Sequence, residues 1–109
     1  MRIWDIDPSE LCRQHLLGEH RELHAIWAVL TKGKTGYRNH PETLRWDGRL
    51  AALYKRHDAE VVEMFSRGYN HKSPLDKALA IGSKVQSVFL STEAEQRDAL
   101  KAKHNNFED

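Results

Sequence analysis

Asp7-Pro8-Ser9-Glu10-Leu11-Cys12-Arg13-Gln14-His15-Leu16-Leu17-Gly18-Glu19-His20-Arg21-Glu22-Leu23-His24-Ala25-Ile26-Trp27-Ala28-Val29-Leu30-Thr31 carries a helical signature long enough to organise the whole chain. Asp7 suits an N-cap and Pro8 the first helical position, so the pattern predicts a helix from Pro8 to about Thr31, ended by Lys32-Gly33-Lys34. Leu16, Leu23, Ile26, Trp27 and Leu30 form its apolar stripe. Gln14, Gly18, Arg21 and Ala25 fall on an adjoining face, with His15, Glu19 and Glu22 beside it, because helical neighbours lie three and four residues apart. A glycine inside a helix costs about 1 kcal/mol relative to alanine. Gly18 therefore points either to close approach of a backbone or ligand, or to simple helix packing.

Beyond this helix, Gly33 to Trp46 reads as an irregular loop with turn residues at Gly33, Gly36, Asn39 and Pro41. A second helix is predicted from about Asp47 to Arg67, with Leu50, Leu53, Tyr54, Val61, Met64 and Phe65 inward and Gly68 closing it. His57 falls on the same stripe and reads as a structural histidine. Ser73-Pro74 and Asp76 suggest a weakly periodic helix over residues 75–89, interrupted at Gly82. Thr92 with Glu95 forms a capping-box pattern that opens a last helix to about Lys103. No alternating strand pattern is present. The expected fold is all-α, a compact single domain over residues 1–109 with three or four helices.

Composition narrows the classes. Of the 109 residues 39% are hydrophobic and 30% charged, a globular balance, and the net charge of +1 does not by itself announce a nucleic-acid partner. The charge is uneven, however. Residues 1–56 hold ten Lys/Arg against seven Asp/Glu, and residues 57–109 seven against nine. The bias gathers at Lys32, Lys34, Arg38, Arg45 and Arg49, with Lys55-Arg56, and interleaves with Tyr37 and Trp46. Such a surface either neutralises phosphates and stacks on bases or is a solvated loop beside core-anchoring aromatics. No apolar run approaches a membrane span, and the start of the chain lacks an apolar signal core. With the single Cys12, unable to pair internally and read as an ordinary semi-buried thiol, the expected setting is cytoplasmic, without a membrane partner.

The start of the chain offers chemistry. An α-amine has a reference pKa of about 7.7–8.0 against about 10.4 for lysine, a difference of roughly 300-fold in the neutral fraction. Met1-Arg2 is expected to keep its methionine, because Arg2 is too bulky for efficient removal of Met1. Held beside Glu22 and an arginine, the Met1 amine could serve as a nucleophile toward an anionic substrate such as a DNA sugar-phosphate backbone. The alternative is an ordinary frayed terminus. His20 and His24, four apart with Glu22 between them, do not match the zincin arrangement, in which glutamate directly follows the first histidine. No metal and no cofactor are expected.

Ser9-Glu10-Leu11, Gln14-His15-Leu16, Glu19 and Arg21-Glu22-Leu23, followed by Lys55-Arg56 and Arg67-Gly68-Tyr69-Asn70, resemble the pyrimidine-dimer DNA glycosylases, the phage-type endonuclease V of ultraviolet repair. The resemblance covers roughly residues 1–72. It implies a glycosylase with AP lyase activity that excises damaged pyrimidines from double-stranded DNA, without metal, through an imine on the N-terminal amine followed by β-elimination. By position it assigns the nucleophile to Met1, the essential carboxylate to Glu22, and phosphate or lesion contacts to Arg2 and Arg21. Gln14 and His15 match positions that contact the DNA backbone or pack. Lys32, Lys34, Arg38 and Arg45 complete the expected DNA-binding set, and the protein is expected to act as a monomer. Met1 replaces the family's usual terminal threonine, Ala25 a family arginine, and Lys103 to Asp109 have no counterpart of the aromatic, basic tail. These departures leave two other readings open: action on abasic sites or other pyrimidine lesions, and a helical DNA-binding module without catalysis.

Overall fold

The computed structural model describes residues 2–36, 38–70 and 74–102. Four α-helices, α1 (Arg13–Lys32), α2 (Pro41–Leu44), α3 (Leu50–Ser66) and α4 (Glu93–Ala102), are joined by two 3-10 turns, Pro8–Glu10 and Lys77–Leu79. The described residues contain no strand beyond an isolated antiparallel bridge between Arg49 and Gly82. The fold is all-α.

The first predicted helix is split. Asp7 caps and Pro8 starts as expected, with the Ser9 amide donating to Asp7 Oδ1 at 2.9 Å, but the result is only a 3-10 turn. Leu11 and Cys12 are extended, and α1 begins at Arg13. The break buries Leu11 and Cys12, and Arg67 at the end of α3 donates to the carbonyls of Pro8 (3.3 Å), Ser9 (3.5 Å) and Leu11 (2.6 Å). Carbonyls that would have bonded within a continuous helix are thus satisfied by a guanidinium distant in sequence.

Helix α3 starts at Leu50, three residues after the expected Asp47. It lacks a side-chain cap; instead its first amides, Ala51 and Ala52, donate to the carbonyls of Ile81 and Ser83 at 2.9 and 3.0 Å. A Cβ on Gly82 would run into the Gly48 carbonyl, so this close crossing of two backbones requires glycine. The other end of α3 closes as the sequence indicates. Gly68 takes φ +80°, its amide bonds the Phe65 carbonyl, and the Tyr69 amide bonds the Met64 carbonyl.

Three expectations fail. The Gly33–Trp46 loop contains α2, because Pro41 sits at the first helical position and His40 Nδ1 accepts from the Glu42 amide at 3.1 Å. Residues 75–89 form no helix beyond the 3-10 turn, and Ile81, Val85, Val88 and Phe89 are exposed. Phe65 is 62% exposed, because the buried face of α3 runs through Leu53, His57, Glu60 and Met64, about 100° away. The expected start at Ser73, the aromatic Tyr37 and the tail Lys103 to Asp109 lie outside the described residues.

The core consists of two apolar clusters with a polar layer between them. One gathers Ile3, Leu23, Ile26, Trp27, Trp46, Ala52, Leu53 and Leu75; the other Trp4, Ile6, Leu11, Leu16, Met64 and Leu100. Glu19 and His20 lie between Leu16 and Leu23 on α1, and Arg56, His57 and Glu60 lie between Leu53 and Met64 on α3. The chain start threads both clusters, Ile3 entering one and Trp4 and Ile6 the other. No helix of the described residues is long and apolar enough to cross a membrane.

Candidate active site

A short extended segment at a chain end has no internal hydrogen bonds, so it must be held by its surroundings or fray. Residues 3–6 are held. The Ile3 amide donates to Glu42 Oε1 at 3.0 Å, the Trp4 amide to Glu19 Oε1 at 2.6 Å and the Asp5 amide to Gln96 Oε1 at 2.6 Å. Arg45 and Arg56 donate in turn to the carbonyls of Ile3 (2.8 Å) and Ile6 (2.7 Å). Side chains from α1, α2, α3 and α4, with Arg45 at the end of α2, all converge on four residues of chain.

Each of these clamps is itself fixed. Arg56 holds Glu19 through both oxygens, at 2.8 and 2.9 Å, a bidentate pair. Burial pushes the Glu19 carboxyl up, opposed by Arg56 and by the Trp4 amide. Arg45 pairs with Asp5 at 2.9 Å and with Glu42 at 2.8 Å, and donates to the Val88 carbonyl at 3.0 Å. Burial works against the charge of Arg45, but Glu42 and Asp5 more than offset it. Arg45 was expected on the DNA-binding surface. It is 3% exposed with its guanidinium committed to the chain start, so it is a clamp and not a surface cation.

The clamped segment places Arg2 and Trp4 over one face of α1. Arg2, Trp4, Gln14, His15, Gly18, Glu19 and Glu22 line an open concavity of ≈ 210 Å³. Of the residues singled out in the sequence, Arg2, Gln14, His15, Gly18, Glu19 and Glu22 are therefore brought together. Arg2 lies 4.3 Å over the Trp4 ring and donates to Ser91 Oγ, while His15 Nδ1 sits 3.1 Å from Cys12 Sγ. Gly18 leaves open space: a Cβ there would meet only Arg21 Nη2 at 4.0 Å. Among the described residues no backbone crosses at Gly18, which leaves room in the concavity. Met1, one residue before Arg2, lies outside the described residues.

Arg21 is exposed and borders a second hollow with Arg13, Gln14 and Leu17, continuous with the first through Gln14. Lys32, Lys34 and Arg38 are exposed at the far end of α1, roughly 20 Å from Gly18 at 1.5 Å per residue. They are not part of the concavity. Two lining or bordering residues escaped the sequence reading. Arg13 shares the four-residue spacing of Leu17 and Arg21, a signal that was present. Trp4 depends on the folded-back chain start, which periodicity does not reveal. Phe89 and Leu90, 56% and 53% exposed, stand beside Ser91, the partner of Arg2.

The arrangement presents a half-buried carboxylate, cations and amide or imidazole donors around a hollow next to a chain terminus. No curated protein and no solved structure matches the chain. The profile of the pyrimidine dimer DNA glycosylases matches residues 1–77, which include every residue of the concavity, both helices of the polar layer and the clamps Glu42, Arg45 and Arg56. The chain thus belongs to the pyrimidine dimer DNA glycosylase family, a family of DNA-repair enzymes.

Proposed function

We propose that this protein excises damaged pyrimidines from duplex DNA with the α-amine of Met1 as nucleophile and Glu22 as the carboxylate, and then cleaves the strand as an AP lyase. The amine nitrogen bonds to C1′ of the damaged nucleotide as the glycosidic bond breaks and the base leaves. Glu22 stabilises the cationic sugar, takes a proton from the nitrogen once it has bonded to C1′ and returns that proton to the ring oxygen as the sugar opens to an imine. Loss of a C2′ proton and of the 3′ phosphate completes the elimination. No metal takes part in these steps.

The observation that carries this reading is the clamped chain start. Ile3, Trp4, Asp5 and Ile6 are hydrogen-bonded into the fold, and Arg2, the neighbour of the amine, lines the same concavity as Glu22. Four ionic clamps, the buried Glu19, Glu42 and Arg45 and the part-buried Arg56, are a large commitment for four residues if the terminus has no role. Arg2, Arg21, Gln14 and His15 bind the strand at the lesion, and Lys32, Lys34 and Arg38 meet phosphates farther along the duplex. Phe89 and Leu90 are suited to wedge between base steps while the damaged nucleotide is exposed.

Borohydride trapping tests the reading on duplexes bearing a thymine dimer or an abasic site, with the wild type, Glu22→Gln and an N-terminally acetylated form. The expected result is an adduct on both duplexes that acetylation abolishes. Trapping on the abasic duplex alone would assign a lyase acting on another lesion. Absence of any adduct would leave a DNA-binding module.

A further inference from the structure

The polar layer between α1 and α3 holds three histidines that the glycosylase reading does not use. His20 and His24, one turn apart on α1, meet His57 of α3, and one ring nitrogen of each lies within 4.8 Å of the others. The ring centroids are 4.6, 4.9 and 5.1 Å apart, an almost equilateral triangle. We propose that His20, His24 and His57 bind a divalent transition-metal ion of the zinc class that clamps α1 to α3.

The geometry fits three corners of a tetrahedral ion, with a water molecule as the fourth ligand. With metal–nitrogen distances of about 2.0–2.1 Å, two ligating nitrogens sit roughly 3.3 Å apart and their ring centroids roughly 5 Å apart. His20 Nε2 and His24 Nε2 are separated by 3.1 Å. His20 Nδ1 meets Glu60 Oε1 at 3.0 Å, so the carboxylate holds the proton on Nδ1 and turns the Nε2 lone pair toward the triad. A carboxylate behind a ligating imidazole is the usual outer support of a zinc site.

Charge points the same way. Glu19 and Glu60 are both buried carboxylates, whereas Arg56, 2.8 Å from Glu19 and 3.7 Å from Glu60, is the one guanidinium among the described residues that pairs with either. Glu60 Oε2 is buried without a hydrogen bond. A cation in the triad neutralises that surplus, and half-exposed His24 gives it a route in from solvent. Glu22 lies two residues from each α1 ligand, roughly 200° around the helix. The ion is accordingly structural, and the amine chemistry neither requires nor touches it.

The test uses untagged, chelator-treated full-length protein titrated with Co2+ and then with Zn2+. One equivalent of Co2+ should give the intense visible absorption of a tetrahedral site, Zn2+ should displace it, and the melting temperature should rise with Zn2+. Glu60→Gln should weaken Zn2+ binding about 10- to 100-fold by freeing the His20 ring. His24→Gln, at the half-exposed ligand and so the variant that best keeps its fold, should remove the one-to-one absorption. Absorption absent from the wild type, or unchanged in His24→Gln, would overturn the site. Because trapping at Met1 is read separately, failure here leaves the glycosylase proposal standing, and failure there leaves this site standing.

Discussion

Glu19 and Glu22 are the same residue type one helical turn apart, yet the fold uses them in opposite ways. Glu19 is 2% exposed and spends both oxygens on Arg56 and the Trp4 amide. Glu22 is half-exposed and borders an open hollow. The two lie only about 60° apart on α1 and both line the hollow, but Glu19 is turned in toward the chain start and α3, whereas Glu22 is turned toward solvent. A carboxylate used up by buried partners is structural; one left facing a cavity beside cations is available for chemistry.

The largest expected contrast comes from replacing each in turn. Glu22→Gln should lower the rate of imine formation by about 10²- to 10⁴-fold, the usual scale for a positioned acid or base. Its stability should change by no more than about 0.5 kcal/mol, since no buried partner is lost. Single-turnover trapping and thermal melting on one sample check both halves. Glu19→Ala should reverse the pattern, costing about 3–5 kcal/mol by removing the bidentate partner of Arg56 and the acceptor of the Trp4 amide together. Urea unfolding measures that loss; if the two variants lose similar stability, the division between them is wrong.

Gly18 sharpens the comparison at smaller scale. Gly18→Ala should stabilise α1 by up to about 1 kcal/mol, because among the described residues a Cβ there meets nothing closer than Arg21 at 4.0 Å. If DNA fills the hollow, the same change should weaken binding to a dimer-containing duplex. A variant that is more stable and binds as tightly would show that the strand does not approach α1 at Gly18.

The smallest effect concerns acid. Arg97 holds the Glu10 carboxyl below its ordinary range, and the Thr92 amide and hydroxyl do the same for Glu95. Folded values below unfolded ones mean that their stabilisation is complete above the ordinary carboxylate range and is lost as pH falls through the folded values. The part of the melting temperature that these two groups supply should therefore decline gently between about pH 5 and pH 3. Arg97→Ala should flatten the part due to Glu10, and added salt should do likewise because the pair is exposed.

What the sequence disclosed followed local physics. The stripe Leu16, Leu23, Ile26 and Trp27 is buried as read, the Thr92–Glu95 capping box forms with bonds of 3.0 and 3.1 Å, and Gly68 ends α3. What it concealed depended on distant partners. The split at Leu11 and Cys12 needs Arg67, the start of α3 needs the carbonyls of Ile81 and Ser83, and the fate of Arg45 needs Asp5 and Ile3. Arg45 reads as one of a run of surface cations until the carboxylates that bury it are in place. Likewise His20 and His24 lack a third histidine until α3 packs on α1.

The central claim is that the amine beside Arg2 is the nucleophile, and the most direct measurement is the mass-spectrometric position of the borohydride-trapped sugar. Digestion of the adduct should place the added mass on the α-amine of Met1, in the wild type and, at lower yield, in Glu22→Gln. Added mass on a lysine side chain, with the Met1 peptide unmodified, would contradict the account.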